Sequence, residues 1–127
     1  LLLNESEEFG LTKGLSVIEG TVKKFDFKND TNNKIPHIGW NSIINSKISW
    51  KDTILESVKN LDKMYFVHSY FVKLKDQKQI LSETQYGNLK FCSSLKYKNI
   101  YATQFHPEKS GPNGLKILSE FKKIFQL

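Results

Sequence analysis

The stretch Gln104-Phe105-His106-Pro107-Glu108-Lys109-Ser110 lies where an apolar strand ends, just before a Gly111-Pro112-Asn113-Gly114 turn and a final amphipathic segment. Sheet proteins place catalytic groups at strand ends that face connecting loops. Because one rigid proline separates His106 from Glu108, the carboxylate can hold one ring nitrogen and leave the other free as a general base. On spacing alone, a His-Pro turn capped by a surface glutamate is the favoured interpretation, since His-x-Glu is common by chance.

The sequence before this stretch is dominated by strand and turn patterns. Apolar and aromatic residues alternate in short runs, and Gly87-Asn88 and Lys98-Asn99 are typical of hairpin turns. A polar cluster at residues 29–33 predicts a further turn. The predicted extended segments are 15–27 (two strands divided at Gly20), 35–44, 64–74 (a strand pair), 79–86, 89–96 and 99–105.

Three segments are predicted to be helical. Residues 1–8 begin apolar and turn acidic, which is typical of the last turns of a helix that started earlier. Residues 49–61 carry apolar side chains at helical spacing, with Ser49 or Asp52 as the cap. Residues 114–125 are amphipathic, with lysines on one face. The apolar positions are Trp50, Ile54, Leu55 and Val58 in the second segment, and Leu115, Leu118, Phe121, Ile124 and Phe125 in the third.

The composition excludes several classes of protein. At 127 residues with 39% hydrophobic and 25% charged residues, the chain is one ordinary globular domain or part of one. No apolar run is long enough to span a membrane. The net charge of +6 comes from lysines without any arginine, which argues against a dedicated nucleic-acid surface. The single cysteine, Cys92, excludes an internal disulfide, and a cytoplasmic location is expected.

The three histidines, His37, His68 and His106, raise the possibility of a zinc site. None shares a helical ligand spacing such as His-x-x-x-His with another, and each lies in a different segment. His37 and His68 are flanked by apolar residues, so hydrogen-bonded structural histidines are expected there. No metal site is predicted.

Motifs along the whole chain resemble those of class I glutamine amidotransferases, in which a Cys-His-Glu triad hydrolyses glutamine. The order and spacing are most similar to the branch of glutaminase subunits of imidazole glycerol phosphate synthase, of the histidine pathway. The motifs are Gly14 to Gly20, Pro36-His37-Ile38-Gly39-Trp40-Asn41, Tyr65-Phe66-Val67-His68-Ser69-Tyr70, Thr84-Gln85-Tyr86-Gly87 and the closing Gln104 to Ser110.

This resemblance implies a fold and a domain assignment. The fold class would be α/β, with a mostly parallel, flavodoxin-like sheet flanked by helices. Residues 1–127 would form the C-terminal part of one amidotransferase domain, contributing late strands, an antiparallel strand extension and the final helix. The first residue is Leu1, so an upstream segment is expected.

The resemblance also assigns roles to catalytic and substrate-binding residues. His106 would be the base that activates a cysteine thiol, and Glu108 would orient it. The backbone of His68, Ser69 and Tyr70 would hold the main-chain end of L-glutamine. Glu8, in the helix that follows the nucleophile, would pair with the substrate ammonium; the alternative is a solvated glutamate at a helix end.

The expected partner is a (β/α)₈-barrel synthase subunit, which would form a heterodimer with the glutaminase and use its ammonia to make imidazole glycerol phosphate. Trp40, Tyr65 and Lys109 match positions expected at that contact, although each could equally be ordinary core or rim. No metal or organic cofactor is expected for the glutaminase step.

The chain departs from the family in one respect. The family nucleophile sits on a Gly-x-Cys-x-Gly elbow, and no such motif occurs here. Cys92 lies inside a predicted strand without neighbouring glycines, and is expected to be a small buried residue. The nucleophile and the oxyanion loop are expected upstream, so the chain as given should be inactive. Three alternatives remain: a paralogous amidotransferase for surface-sugar biosynthesis, a non-catalytic binding subunit and, as a remote third, a basic nucleic-acid-binding module.

Overall fold

The strands of the protein form two sheets, followed by a C-terminal helix. The computed structural model describes residues 1–28 and 32–127. Short 3-10 turns precede β8 (Gln77–Gln79) and the final helix (Pro107–Lys109). In chain order the elements are β1 (Glu5–Ser6), β2 (Thr12–Lys13), β3 (Gly20–Lys24), β4 (His37–Ser42), β5 (Ile44–Asn45), β6 (Lys63–His68), β7 (Tyr70–Leu74), β8 (Ile80–Tyr86), β9 (Leu89–Tyr97), β10 (Ile100–Thr103) and α1 (Gly111–Ile124).

The larger sheet has the order β2-β1-β3-β7-β9-β8-β5, and β10 pairs with the second half of β9. Strands β1 and β3 are parallel, and the other pairs are antiparallel. The smaller sheet is the antiparallel ribbon β4–β6, in which His37 faces His68 and Trp40 faces Tyr65. The predicted mixed fold, with an antiparallel extension and a final helix, is confirmed.

The predicted strand pattern from residue 64 onward is confirmed. Residues 64–74 form the pair β6 and β7, and β8, β9 and β10 follow within one or two residues of the expected bounds. Both hairpins turn through a left-handed residue, Gly87 (φ 60°) and Lys98 (φ 54°). Part of the turn predicted at 29–33 lies outside the described residues. Residues 15–27 contain one strand rather than two, because Gly20 begins β3 instead of dividing the segment.

The helix predicted for residues 1–8 is wrong. The main chain of residues 1–4 bonds to distant partners instead: Ile18 N–H donates to the carbonyl of Leu2, and Asn4 N–H donates to that of Gly20. Leu3 is buried, whereas Leu1 and Leu2 are exposed. These long-range hydrogen bonds satisfy the groups that a helix would have paired locally.

The helix predicted for residues 49–61 is also wrong, although its apolar residues are buried as expected. Asp52 has a left-handed backbone (φ 58°), which interrupts any helix. The hydroxyl of Thr53 donates to the carbonyl of Trp50 at 2.6 Å and accepts from Leu55 N–H at 3.2 Å. Such side-chain bonds compete with the helical ladder. The segment is therefore a series of turns, anchored by the indole N–H of Trp50 on the carbonyl of Leu81 (2.7 Å).

Two apolar clusters form the core. The larger lies between the ribbon, the larger sheet and α1, and the smaller lies under the N-terminal segment. The larger contains Phe25, Phe27, Ile43, Trp50, Ile54, Leu55, Val58, Met64, Phe66, Leu81, Phe91, Phe105 and Ile117. The smaller contains Leu3, Ile18, Leu74, Ile80, Cys92 and Leu95.

A chain of hydrogen bonds through two buried histidines joins the two sheets. His68 Nδ1 lies 2.7 Å from the carbonyl oxygen of Tyr70, and its Nε2 lies 2.9 Å from His37 Nδ1. Because a carbonyl only accepts, His68 donates from Nδ1 and accepts at Nε2 from His37. His37 Nε2 then accepts from the Asn41 amide (3.3 Å), which also donates to the Gln85 carbonyl in β8 (2.9 Å). Every ring nitrogen therefore has a suitable partner while both histidines are neutral.

Burial keeps both imidazoles neutral. Burial, and secondarily the neighbouring His68, lower the pKa of His37 to about 4. Burial also lowers the pKa of His68; the hydrogen bond to the Tyr70 carbonyl opposes this shift, and nearby His106 adds to it. A second proton on His37 would point an N–H at the amide donor of Asn41, so protonation would also break the hydrogen bond between these two side chains.

Helix α1 has one face buried against the protein and a second, apolar face that is exposed. Gly114, Ile117 and Glu120 face the protein and are buried. The apolar face that the sequence predicted is largely exposed, with Leu115 at 67% and Leu118 at 46% of their maximal exposure. A Cβ atom at Gly114 would overlap the carbonyl of Pro107, so the first turn of α1 lies directly against the turn that follows His106. Within the described ranges, no helix has the length and apolar character needed to cross a bilayer.

The histidine pair predicts that acid destabilises the protein that carries this chain. The pKa of His37 is near 6.5 when unfolded and about 4 when folded. Between these values the unfolded state binds more protons, so the free energy of unfolding decreases as pH falls. We expect a loss on the order of 1–2 kcal/mol between pH 7 and pH 5. Urea unfolding at both pH values measures it. His37→Asn should lose less stability on acidification, and an unchanged loss would contradict the assignment.

The close approach at Gly114 predicts that Gly114→Ala destabilises the protein, whereas the same substitution in an open helix is stabilising. In an open helix interior, Gly→Ala stabilises by about 1 kcal/mol. At Gly114 the added methyl group must push α1 away from Pro107, and overpacking costs about 1–3 kcal/mol. We therefore expect Gly114→Ala to lower the melting temperature. Ser119→Ala, at an exposed position of the same helix, is the matched control and should leave it unchanged or slightly raised. A stabilising Gly114→Ala would show that this contact does not constrain the helix.

Candidate active site

The segment that carries His106 passes from the larger sheet to the ribbon. Gln104 N–H donates to the carbonyl of Ser93 in β9 (2.8 Å), which extends the pairing of β10. Phe105 is buried in the larger cluster. His106 N–H then donates to the carbonyl of Tyr65 in β6 (3.0 Å). The main chain is thus bonded to the larger sheet at Gln104 and to the ribbon two residues later at His106, which fixes the position of His106 between the sheets.

Ser110 holds the C-terminal end of the His106 segment through two hydrogen bonds. Its hydroxyl accepts from Tyr65 N–H at 3.0 Å and donates to the carbonyl of His106 at 2.7 Å. The side chain is fully buried. Ser110 belongs to the closing motif, but no role was predicted for it from the sequence. The signal available was its position immediately before the Gly-Pro pair that begins α1, where a serine hydroxyl commonly bonds to the main chain.

His106 and Glu108 form a hydrogen-bonded pair. His106 Nδ1 lies 2.8 Å from Glu108 Oε1, so the ring donates from Nδ1 to the carboxylate. The backbone N–H of Glu108 itself, and then His106, lower the pKa of the Glu108 carboxyl. Among the described residues, no hydrogen-bond partner lies at His106 Nε2. A neutral imidazole with this tautomer presents its Nε2 lone pair outward, which is the form that a general base requires.

The corner His68-Ser69-Tyr70 joins β6 to β7. The His68 side chain is buried in the hydrogen-bond chain described above, and Ser69 and Tyr70 are half-buried. The carbonyl of Ser69 accepts from Phe25 N–H at 3.0 Å. The corner ends the same strand, β6, whose Tyr65 backbone holds the His106 segment. The candidate base is therefore hydrogen-bonded to the same strand that ends in the predicted substrate-binding corner.

Glu8 is not brought into contact with these residues. It lies exposed in a turn after β1 rather than in a helix, so the helical position predicted for it is wrong. β3 pairs in parallel with β1 and antiparallel with β7, where Lys24 faces Tyr70. The turn with Glu8 therefore follows β1 at the end of the sheet where β7 begins, with β3 between these two strands. Its neighbour Glu7 forms an exposed ion pair with Lys23 at 2.7 Å.

Trp40 and Tyr65 form a cross-strand pair on the outer face of the ribbon. Their ring centroids are 6.0 Å apart in an edge-to-face arrangement, and Trp40 is 54% exposed. Ile38 and Val67, the next pair on this face, are also exposed. Lys109 is exposed at the end of the turn after His106. Because Tyr65 also bonds to His106, this apolar surface and the candidate base share one residue.

Cys92 is a buried residue of β9, as the sequence predicted. It is 6% exposed, and its thiol donates to the carbonyl of Ser94. Burial, and then the charge of Glu83, raise the pKa of the Cys92 thiol to about 12. A thiol in this environment is not ionised near neutral pH and is a poor nucleophile. Within residues 1–28 and 32–127, no three His, Cys, Asp or Glu side chains converge to hold a metal ion.

Comparison with known proteins identifies the family. The model of the family "Glutamine amidotransferase class-I" matches residues 7–124. The chain is 44% identical to imidazole glycerol phosphate synthase subunit HisH 1 of Campylobacter jejuni subsp. jejuni serotype O:23/36 (strain 81-176), over 98% of this chain and 58% of that protein. It is 45% identical to subunit HisH of Methanocaldococcus jannaschii, over 98% of this chain and 59% of that protein.

A third relative, imidazole glycerol phosphate synthase subunit HisH of Chlorobium chlorochromatii (strain CaD3), is 41% identical over 98% of this chain and 59% of its own length. The chain thus spans 58–59% of the length of these curated relatives. The family match covers the ribbon, the corner at Ser69 and the segment with His106 and Glu108 together. This chain belongs to the class I glutamine amidotransferase family.

Proposed function

We propose that the protein carrying this chain hydrolyses L-glutamine and supplies the ammonia to a synthase subunit that makes imidazole glycerol phosphate in histidine biosynthesis. The observation that carries the proposal is the hydrogen bond between His106 Nδ1 and Glu108 (2.8 Å), which leaves Nε2 free. The histidine pathway is favoured because the relatives named above are subunits of imidazole glycerol phosphate synthase.

Residues 1–127 are, on this proposal, the C-terminal part of a single amidotransferase domain. The share of the relatives' length that the chain spans, 58–59%, supports this assignment. So does the exposed apolar face of α1. Leu115 and Leu118 line an open cavity of about 420 Å³ together with Pro107 and Glu108. Apolar side chains beside a candidate base are well placed to pack against the part of the domain that would carry the nucleophile.

The proposed reaction uses a cysteine from that other part of the domain. His106 Nε2 takes the thiol proton, and the thiolate attacks the side-chain amide carbon of glutamine to form a tetrahedral intermediate. The imidazolium returns the proton to the amide nitrogen, and ammonia leaves a glutamyl thioester. Water, deprotonated by the same nitrogen, then hydrolyses the thioester to glutamate and regenerates the thiol. Glu108 stabilises the imidazolium that forms in each half of the reaction.

The substrate would lie between the base and the corner of the ribbon. Main-chain groups of His68, Ser69 and Tyr70 would hold the α-amino-acid end of glutamine. Glu8 is proposed to pair with the substrate ammonium. Its turn follows β1 at the end of the sheet where β7 begins at Tyr70, which supports this assignment.

The partner would be a (β/α)₈-barrel synthase subunit bound as a heterodimer. Trp40, Tyr65 and Lys109 are proposed as its contacts. An exposed aromatic pair beside a lysine is typical of interface anchors, because aromatic residues supply large contact areas at little conformational cost.

His106→Ala tests the proposed mechanism in the complete protein with its synthase partner. We expect glutamine-dependent synthesis to fall by several orders of magnitude, because the thiol loses its base. Synthesis from added ammonia should persist, since that reaction bypasses the glutaminase. Ser119→Ala, on the exposed side of α1, should leave both rates unchanged. Loss of both activities in His106→Ala would assign His106 a structural role instead.

A non-catalytic binding subunit is the second candidate, because Cys92 is the single cysteine of these 127 residues and its thiol is buried with a pKa of about 12. A diazo-ketone analogue of glutamine, which alkylates activated thiols, separates the two. We expect mass spectrometry to find one adduct on a cysteine other than Cys92, unchanged in Cys92→Ser. A folded protein that takes up no adduct would favour the non-catalytic subunit.

A further inference from the structure

The corner that is proposed to bind glutamine depends on the tautomer of a buried histidine. His68 donates from Nδ1 to the carbonyl of Tyr70 at 2.7 Å, across the bend at Ser69. This bond closes the corner, because it joins the end of β6 to the start of β7. It exists only while the proton of the neutral ring is on Nδ1, since a bare Nδ1 would set its lone pair against the carbonyl oxygen.

His37 and the carbonyl of Tyr70 select that tautomer together. Nδ1 of His37 lies 2.9 Å from His68 Nε2 and is the hydrogen-bond partner of that nitrogen. His37 in turn donates from Nδ1 because its own Nε2 accepts from Asn41. An N–H facing His68 Nε2 excludes a proton from that nitrogen and leaves it on Nδ1. Without the donor, the ring of His68 would hold an unpaired buried acceptor or move its proton and lose Tyr70.

The His37 ring is also held in place by stacking. It lies between Tyr86, with ring centroids 4.0 Å apart, and Phe66, with centroids 4.9 Å apart, and both rings are near-parallel to it. His37 is fully buried. The ring therefore has two separable roles, packing through its faces and donation through Nδ1. No step of the proposed reaction uses either one.

We propose that His37 is a positioning residue for glutamine binding, acting through His68 on the Ser69 corner. This assignment rests on the proposed function, because the corner has a substrate to bind only if the protein is a glutaminase. His37 touches neither the substrate nor the base. Its contribution is to pair with Nε2 of His68 and so stabilise the Nδ1–H tautomer, and thereby the shape of the main chain that receives the amino-acid end of glutamine.

Two substitutions separate donation from packing. His37→Phe keeps an aromatic ring between Tyr86 and Phe66 but has no N–H. His37→Asn loses the stacked ring but can place its amide N–H near the position of Nδ1. We expect His37→Phe to raise the KM for glutamine about threefold to tenfold, the range that corresponds to one neutral hydrogen bond, with kcat changed less than about twofold.

His37→Asn should keep the KM within about twofold of the unsubstituted protein while melting at a lower temperature. His37→Phe should therefore have the higher KM, and His37→Asn the lower melting temperature. A histidine with only a structural role would not give this opposite ranking. The assignment is overturned if KM follows melting temperature across the variants, or if His37→Phe binds glutamine normally. An unsubstituted protein that does not hydrolyse glutamine would overturn the proposed function, and this assignment with it.

The tautomers are measurable without any activity. In the complete protein labelled with ¹⁵N at histidine, two-dimensional NMR of the imidazole nitrogens distinguishes Nδ1–H from Nε2–H. We expect His37 and His68 both to carry the proton on Nδ1 at neutral pH, with this preference of His68 weakened in His37→Phe and kept in His37→Asn. An Nε2–H tautomer of His68 in the unsubstituted protein would overturn the proposal directly.

Discussion

The position of the candidate base depends on the two main-chain groups of Tyr65. The carbonyl accepts from His106 N–H, and the N–H donates to the hydroxyl of Ser110. Both groups belong to the edge of β6 that does not face β4, so the ribbon is extended by the segment that carries His106. Ser110 closes the arrangement by donating to the carbonyl of His106. Tyr65 thus fixes the position of the His106 imidazole and, through Ser110, the start of α1. Because Tyr65 also belongs to the Trp40–Tyr65 surface, it fixes the position of that surface relative to both.

The ribbon in turn is joined to the larger sheet by a buried polar chain rather than by packing alone. Buried polar groups are costly unless each is paired, and His68 and His37 meet this requirement in series, connected through the half-buried Asn41 to the carbonyl of Gln85. A series of hydrogen bonds in which every donor and acceptor is paired allows few alternative arrangements of the strands that it joins. The aromatic rings around the two histidines supply the apolar contact between the sheets, and the hydrogen bonds fix how the sheets are aligned.

Sequence patterns were most successful where structure is local. The hairpins at Gly87 and Lys98 need only left-handed turn residues between two apolar runs, and both form as predicted. Residues 1–8 and 49–61 were wrongly predicted to be helical, because their backbone groups bond to distant strands or to side chains such as that of Thr53. Periodicity correctly identified the residues of the second segment that are buried, but burial is compatible with turns as well as with a helix.

The sequence by itself determined the family, through motifs whose order and spacing extend along the chain, and the strand pattern from residue 64 to the final helix. It also identified the His106–Glu108 pair through the closing motif of the family, whereas the spacing alone favoured a surface turn. Only the tertiary structure decided which residues hold that pair in place. Tyr65 and Ser110 are 45 residues apart, and His37 and His68 are 31 apart. Contacts of this range follow from strand register and sheet packing, which one-dimensional periodicity does not encode.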